Sequence, residues 1–181
     1  MATLPTASMS SVQAVTAIDL GGRLSVRYQR DGNEEALHGS FSWSQRADRT
    51  LVTLMSPLGQ TIATIAITPT EAILTQSGQP ARSAADPDAL AADALGWPLP
   101  VAGLRDWLQG HAKDANGRSV NASPANSNPI LTGDGWTLQY ASWEASEVAK
   151  PARPKRIDLS RSTSAAGNVT IRIIIDSWQP V

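Results

Sequence analysis

The chain has 181 residues, no cysteine and a formal net charge of −1. This length suits one domain with a sizeable core. The lack of cysteine excludes disulfides, thiolate metal ligands and a thiol nucleophile. The near balance of 15 basic and 16 acidic residues argues against nucleic acid as a partner.

The N-terminal residues resemble neither a secretory signal nor a membrane span. Residues 1–17 lack a basic start followed by a long apolar stretch, and no run in the chain approaches the roughly 18 apolar residues of a transmembrane helix. We predict a separate N-terminal segment over 1–17, in which a short helix could form, and a single domain over 18–181.

The first predicted strands form a hairpin with one apolar face. Apolar and polar residues alternate over 24–29 and again over 39–44, on either side of a turn at 31–33. This alternation is typical of antiparallel strands that are covered on one side only.

The next hairpin carries an unusual residue at its turn. Strands are predicted at 50–56 and 60–68, and between them lies the turn Ser56-Pro57-Leu58-Gly59. Turn tips normally meet water and carry polar residues. A bare leucine at this position therefore needs an explanation. A further short strand is predicted at 71–76.

Two short helices are predicted in the middle of the chain. Asp86 suits an N-cap, Pro87 suits the first turn, and Gly96 follows the last residue of an alanine-rich helix. The spacing of the next apolar residues predicts one face of a second helix that ends before Gly110: Val101, Leu104, Trp107 and Leu108.

The last third of the chain returns to strands. Residues 111–132 are rich in Asn, Ser and Pro, which predicts a long loop with at most a weak strand, and 144–154 predicts an exposed connection. Alternation predicts strands near 136–140, 156–160 and 171–175. The order predicts a mainly β fold with some helix: a strongly curved antiparallel sheet or open barrel with helices covering its mouth.

The sequence offers no persuasive catalytic or metal-binding set. His38 and His111 have no acidic or cysteine companions at ligand spacing, and no G-x-S-x-G motif is present. We therefore predict a protein that is not an enzyme and that uses neither a metal nor a cofactor.

Two further features each leave two interpretations open. The six tryptophans suit either core packing or the wall of a cavity for an apolar ligand. The locally basic C-terminal segment suits either a solvated surface or attraction to anionic lipid headgroups. It contains Lys150, Arg153, Lys155, Arg156 and Arg161.

Several of these segments, in this order, resemble the outer-membrane lipoprotein receptor LolB family. The resemblance runs from about residue 18 to the end of the chain. It is carried by Gly22-Arg23-Leu24, Gly39-Ser40-Phe41-Ser42-Trp43, Leu54-Met55-Ser56-Pro57-Leu58-Gly59, Gly96-Trp97-Pro98-Leu99-Pro100, Leu104-Arg105-Asp106-Trp107-Leu108-Gln109-Gly110 and Ile174-Ile175-Asp176-Ser177-Trp178.

The resemblance implies a fold and a function. The implied fold is a half-open, unclosed antiparallel β-barrel covered by a helical lid and enclosing an apolar cavity. LolB-like proteins take lipoproteins from the periplasmic carrier LolA, hold their acyl chains in an apolar cavity, and place them in the inner leaflet of the outer membrane. It implies that Pro57, Leu58 and Gly59 form the loop that meets the membrane. The implied partners are a LolA-like carrier, lipoproteins and the outer membrane, and we expect a monomer on its periplasmic face.

The acyl-chain cavity is expected between the inward faces of the strands and the underside of the helices. Its predicted residues are Leu24, Val26, Phe41, Trp43, Leu54, Ile65, Ile67, Leu104, Trp107 and Leu108. A β-bulge would reverse the faces of any one strand, so this assignment depends on strand register.

The chain departs from the family at its N-terminus, and other functions stay open. The family is anchored through a lipidated cysteine after a signal peptide, and this chain has neither, so we expect a form from which the anchor has been removed. The alternatives are a natural unanchored relative, a LolA-like carrier, a soluble fatty-acid or lipid-binding module, and a module that uses Leu58 to bind a protein. A pure carrier would lack the protruding Leu58 loop.

Overall fold

A computed structural model describes residues 17–144, 152–164 and 166–180 of the chain. The strands of the first half are β1 (Ile18–Arg30), β2 (Asn33–Gln45), β3 (Thr50–Met55), β4 (Thr61–Ile67), β5 (Ala72–Gln76) and β6 (Arg82–Ala84). Two helices follow, α1 (Pro87–Leu95) and α2 (Val101–Trp107). The remaining strands are β7 (His111–Lys113), β8 (Ser119–Asn121), β9 (Ile130–Leu131), β10 (Thr137–Glu144), β11 (Arg153–Thr163) and β12 (Gly167–Pro180).

Ten of these strands form one antiparallel sheet. Their order is β6-β5-β4-β3-β2-β1-β12-β11-β10-β9, so the sheet meanders outward from β1 and β12 in both directions. Within the described residues its two end strands, β6 and β9, do not pair with each other. The prediction of a mainly β fold built on an unclosed antiparallel sheet with two helices is therefore confirmed.

Alternating burial along the strands places the core on one face of the sheet. In β3, for example, Val52 and Leu54 are buried while Leu51 lies on the opposite, exposed face. A shift in register between Gly21 and Gly22 changes the alternation near the start of β1. The helices α1 and α2 pack their buried residues into the same core cluster.

The two ends of α1 are set by the capping residues expected from the sequence, Asp86 and Gly96. The Asp86 side chain accepts hydrogen bonds from the backbone N–H groups of Asp88 and Ala89, as an N-cap does. Gly96 ends the helix with a positive φ of 83°. Among the described residues, neither helix has the length and apolar content needed to cross a membrane.

The prediction of a long loop over 111–132 was wrong. This region contains the hairpin of β7 and β8, whose strands pair from His111–Asn121 to Lys113–Ser119, and the short strand β9. The turn of the hairpin is held by the Asp114 carboxylate, which accepts from the backbone N–H groups of Asn116 and Arg118. Short exposed strands lack the apolar alternation that signals a strand, so composition alone indicated a loop.

The connection predicted over 144–154 is replaced by strand at both of its ends. Glu144 ends β10, and β11 already begins at Arg153, with Pro154 buried opposite Trp143 beside an irregularity in register. Proline lacks a backbone N–H and is tolerated in strands at such irregular positions. Residues 145–151, with Lys150 and Pro151, lie outside the described residues, as do residues 1–16 of the predicted N-terminal segment.

Candidate functional site

The loop between β3 and β4 is a tight hairpin turn. The backbone N–H of Gly59 donates to the carbonyl of Ser56 at 2.9 Å, and the N–H of Ser56 donates to the carbonyl of Gln60 at 2.7 Å. Gly59 has a φ of +85°. A turn followed by a left-handed glycine is a common three-residue hairpin, in which proline suits the second position.

This turn leaves Leu58 almost fully in solvent. The side chain is 91% exposed, whereas the other large exposed apolar residues among those described range from 37% to 54%. Pro57 and Gly59 beside it are also exposed. The three residues predicted to meet a membrane therefore share one protruding tip.

An apolar pocket lies between the sheet and the second helix. Six of the ten residues predicted for the acyl-chain cavity line it together: Leu24, Phe41, Trp43, Leu54, Leu104 and Leu108. Four residues not predicted for the cavity complete the lining: Val52, Leu99, Ile171 and Ile173. The shared face of Ile171 and Ile173 was visible in the sequence, and their pairing opposite Val26 and Leu24 in the sheet was not.

The other four predicted cavity residues do not line this pocket. Val26 and Ile65 are fully buried in the surrounding core, and Trp107 is 5% exposed within the same core. Ile67 is half-buried at the end of β4 and packs against the core cluster. These four side chains surround the pocket lining rather than forming it.

The pocket is nearly filled by its own lining side chains in this arrangement. The space left between its side chains is about 20 Å³, which is room for about one water molecule. An acyl chain is far larger than one water. Entry of such a chain therefore requires the second helix or the lining side chains to move.

Both ends of α2 are attached to neighbouring elements. At its start, the Asp88 carboxylate of α1 accepts a hydrogen bond from the backbone N–H of Ala102 at 2.9 Å. Burial raises the pKa of the Asp88 carboxyl. Further along, the Arg105 guanidinium donates to the backbone carbonyls of Arg46 at 2.9 Å and Ala47 at 3.3 Å, in the turn between β2 and β3.

At the end of α2, a buried phenol holds the helix against the sheet. The Tyr140 hydroxyl of β10 donates to the backbone carbonyl of Trp107. Burial, with the nearby Asp106 charge as a smaller cause, raises the pKa of Tyr140. The phenol is therefore a neutral donor at any physiological pH. The attachments made by Asp88, Arg105 and Tyr140 escaped prediction because they depend on tertiary contacts.

The side chains that could bind a metal ion lie apart in the part of the chain that the structure describes. No group of three or more His, Cys, Asp or Glu residues there is placed to hold a metal ion. His38 is exposed on β2, and His111 shares a hydrogen bond with Asn121 across the β7–β8 hairpin. The two candidate functional features remain the Leu58 loop and the apolar pocket.

Comparison with known proteins gives a consistent result. The family model described as outer membrane lipoprotein LolB matches residues 16–178. The outer-membrane lipoprotein LolB of Cupriavidus necator is 36% identical over 97% of this chain and 87% of its own length. That of Thiobacillus denitrificans is 36% identical over 93% of this chain and 83% of its own length.

A solved structure supports the fold independently. A DUF1329 family protein from Desulfovibrio piger aligns with a TM-score of 0.51 over 93% of this chain and 88% of its own, at 9% sequence identity. At this identity the likeness concerns the fold alone. The family match and the relatives, which cover nearly the whole chain, show that this chain belongs to the LolB family of outer-membrane lipoproteins.

Proposed function

We propose that this chain accepts lipoproteins from a LolA-like periplasmic carrier and inserts them into the inner leaflet of the outer membrane. It would act at the periplasmic face of that membrane, as a monomer and without catalysing a reaction. Residues 18–181 would form the single domain that does this. Membership of the LolB family supports the receptor role.

The observation that carries the proposal is the 91% exposure of Leu58 at the tip of a rigid turn. Moving a leucine side chain from water into an apolar phase gains about 1.5–3 kcal/mol. This is too little to hold the protein on a membrane. It is enough to favour docking and to disturb lipid packing at the point of contact.

The apolar pocket would receive the acyl chains. Its described lining is entirely apolar side chains from the sheet and from α2 with its flanking residues. Burying one CH₂ group stabilises by about 0.8 kcal/mol, so a chain of about sixteen carbons gains roughly 12 kcal/mol on leaving water. A lipoprotein therefore needs a shielded site at every stage between two membranes.

Transfer in one direction needs a graded series of affinities. The receptor must hold the acyl chains more favourably than the carrier does and less favourably than the bilayer does. A pocket that must open to admit its ligand meets the second part of this condition, because the free energy of opening lowers the net affinity below that of the bilayer. Its small resting volume of about 20 Å³ is consistent with such a cost.

Replacing the leucine tests the membrane step. We expect Leu58→Glu to fold and to accept lipoprotein from a loaded carrier, but to release it into liposomes at least about ten times more slowly, since a charged tip does not enter the bilayer. Acceptance is measured by co-purification of lipoprotein with the receptor. Release is measured by flotation of lipoprotein with the liposomes.

A matched control removes a different exposed leucine. Leu131→Glu changes a 54% exposed residue of β9 in the same way and should leave both steps unchanged. Normal release by Leu58→Glu would refute the role of the loop. Binding of acyl chains without acceptance from a carrier would favour the alternative, a lipid-binding module with no transfer function.

A further inference from the structure

An open groove lies on the outer face of the sheet, beside the base of the Leu58 loop. Its volume is about 480 Å³, and its lining includes Arg23, Ser25, His38, Ser40, Pro57 and Arg172. Unlike the apolar pocket, this groove presents guanidinium, imidazole and hydroxyl groups. These are groups that donate hydrogen bonds to anions.

Strand pairing brings the donors into adjacent rows. Ser25 of β1 lies opposite His38 of β2 on one side and opposite Arg172 of β12 on the other. Two residues along, Arg23 of β1 lies opposite Ser40 of β2. The donors therefore come from three neighbouring strands at the centre of the sheet and have a fixed spacing.

The ion pairs around the groove leave an excess of positive charge. Arg23 and Lys155 share the Asp176 carboxylate, at 2.9 and 3.5 Å. Arg156 and Arg172 share the Asp158 carboxylate, at 2.9 and 3.5 Å. Four cations thus face two carboxylates, a local charge of +2. The hydrogen bond from Arg23 lowers the pKa of Asp176, so that carboxylate is ionised at neutral pH.

Of the two arginines that line the groove, Arg172 makes the longer ion pair. Arg156 uses two nitrogens to engage both oxygens of Asp158, at 3.1 and 2.9 Å. The contact of Arg172 with the same carboxylate is longer, 3.5 Å from Nε to Oδ1. Within the described residues this is the one charged partner of the Arg172 guanidinium, so its terminal N–H groups can bind an anion in the groove.

We propose that this groove binds the phosphate of an anionic phospholipid headgroup when the Leu58 loop enters the membrane, with Arg172 as its main ligand. The inference rests on the proposed function. Pro57 lines the groove, and Leu58 follows it directly in the chain. Consecutive Cα atoms are about 3.8 Å apart, and each headgroup layer of a bilayer is roughly 5–7 Å thick. Insertion of Leu58 would therefore place Pro57, and with it the near edge of the groove, at the level of the headgroups.

Vesicle binding by the protein without lipoprotein tests this inference. The vesicles contain phosphatidylcholine alone, or phosphatidylcholine with about one third phosphatidylglycerol. We expect Arg172→Gln to weaken binding to the anionic vesicles by about ten-fold and to leave binding to the neutral vesicles unchanged. Arg156→Gln removes the same charge from a partner of the same carboxylate outside the groove, and should weaken binding by no more than about three-fold.

The outcomes separate this inference from the proposed function. Equal losses for Arg172→Gln and Arg156→Gln would mean that net charge alone attracts the membrane, which would overturn the headgroup site. Unchanged binding of the Arg172→Gln variant to anionic vesicles would also overturn the headgroup site. So would saturation of the groove by inorganic phosphate in a protein that shows no preference for anionic over neutral vesicles. Failure of the Leu58 role instead appears in the transfer assay, where Leu58→Glu would release lipoprotein into neutral liposomes as fast as the wild type.

Discussion

Leu58 is exposed because of the residues that flank it. Pro57 is pre-set for the second position of the turn, and Gly59 adopts the positive φ of 85° that closes it. The sequence predicted this turn and its apolar tip, since both depend on residues adjacent in the chain. It could not predict the groove at the base of the turn, which joins Pro57 to Arg172 from the far end of the chain.

Gly59 allows a direct test of the rigidity of the turn. We expect Gly59→Ala to lower the free energy of unfolding by about 1 kcal/mol, because a residue with a Cβ is strained at this positive φ. The added Cβ would meet no neighbouring atom within 4 Å, so the loss would come from the backbone conformation alone. For a chain of this size the melting temperature should fall by about 2–4 °C.

Asparagine at the same position provides the control. Gly59→Asn also adds a side chain, but asparagine tolerates the left-handed region and should destabilise less. Thermal unfolding followed by circular dichroism measures both variants. Equal melting temperatures for Gly59→Ala and the wild type would show that the turn is not constrained by its backbone.

At the level of elements, prediction succeeded where local signals were strong. The capping residue Asp86 and the left-handed Gly96 fixed the bounds of α1, and alternation marked the long strands. It failed for β7, β8 and β9, which are three, three and two residues long. It also failed at Pro154, whose place in a strand depends on an irregular pairing with Trp143.

The attachment of α2 by Tyr140 predicts how the pocket opens. Tyr140→Phe removes one buried hydrogen bond, while the Trp107 carbonyl keeps the bond from the Gly110 N–H. We expect a loss of about 1 kcal/mol in stability. We also expect faster binding of a fluorescent fatty acid, because α2 is held less firmly over the pocket.

Tyr28→Phe is the matched control for this variant. Tyr28 is a half-buried residue of β1 that packs at the margin of the core, so its change should leave the rate of fatty-acid binding unaltered. Stopped-flow fluorescence measures the rates of both variants. If Tyr140→Phe binds no faster than the wild type, the opening of the pocket does not involve release of this end of α2.

At the level of the whole molecule, the open sheet presents two unlike faces. The inner face, with α1 and α2, holds the apolar core and its pocket. The outer face near β1, β11 and β12 carries linked ion pairs and the basic groove. Six residues predicted for an acyl-chain cavity lie together in this pocket because alternation assigns side chains to faces. It could not predict how closely they pack, which depends on contacts across the sheet.

The Leu58 loop, the pocket and the groove would act together in lipoprotein transfer. The pocket would hold acyl chains, the loop would enter the bilayer, and the groove would bind a headgroup beside the point of entry. In this account no step requires a reaction. Direction comes from the greater stability of acyl chains in the bilayer than in the pocket.

The most direct test is lipoprotein transfer by the wild-type chain. A LolA-like carrier loaded with a triacylated lipoprotein is mixed with liposomes, with and without this protein, and lipoprotein that floats with the liposomes is measured over time. Membrane incorporation should depend on the protein and proceed to near completion. Incorporation that is no greater with the protein than without it would refute the proposed receptor function.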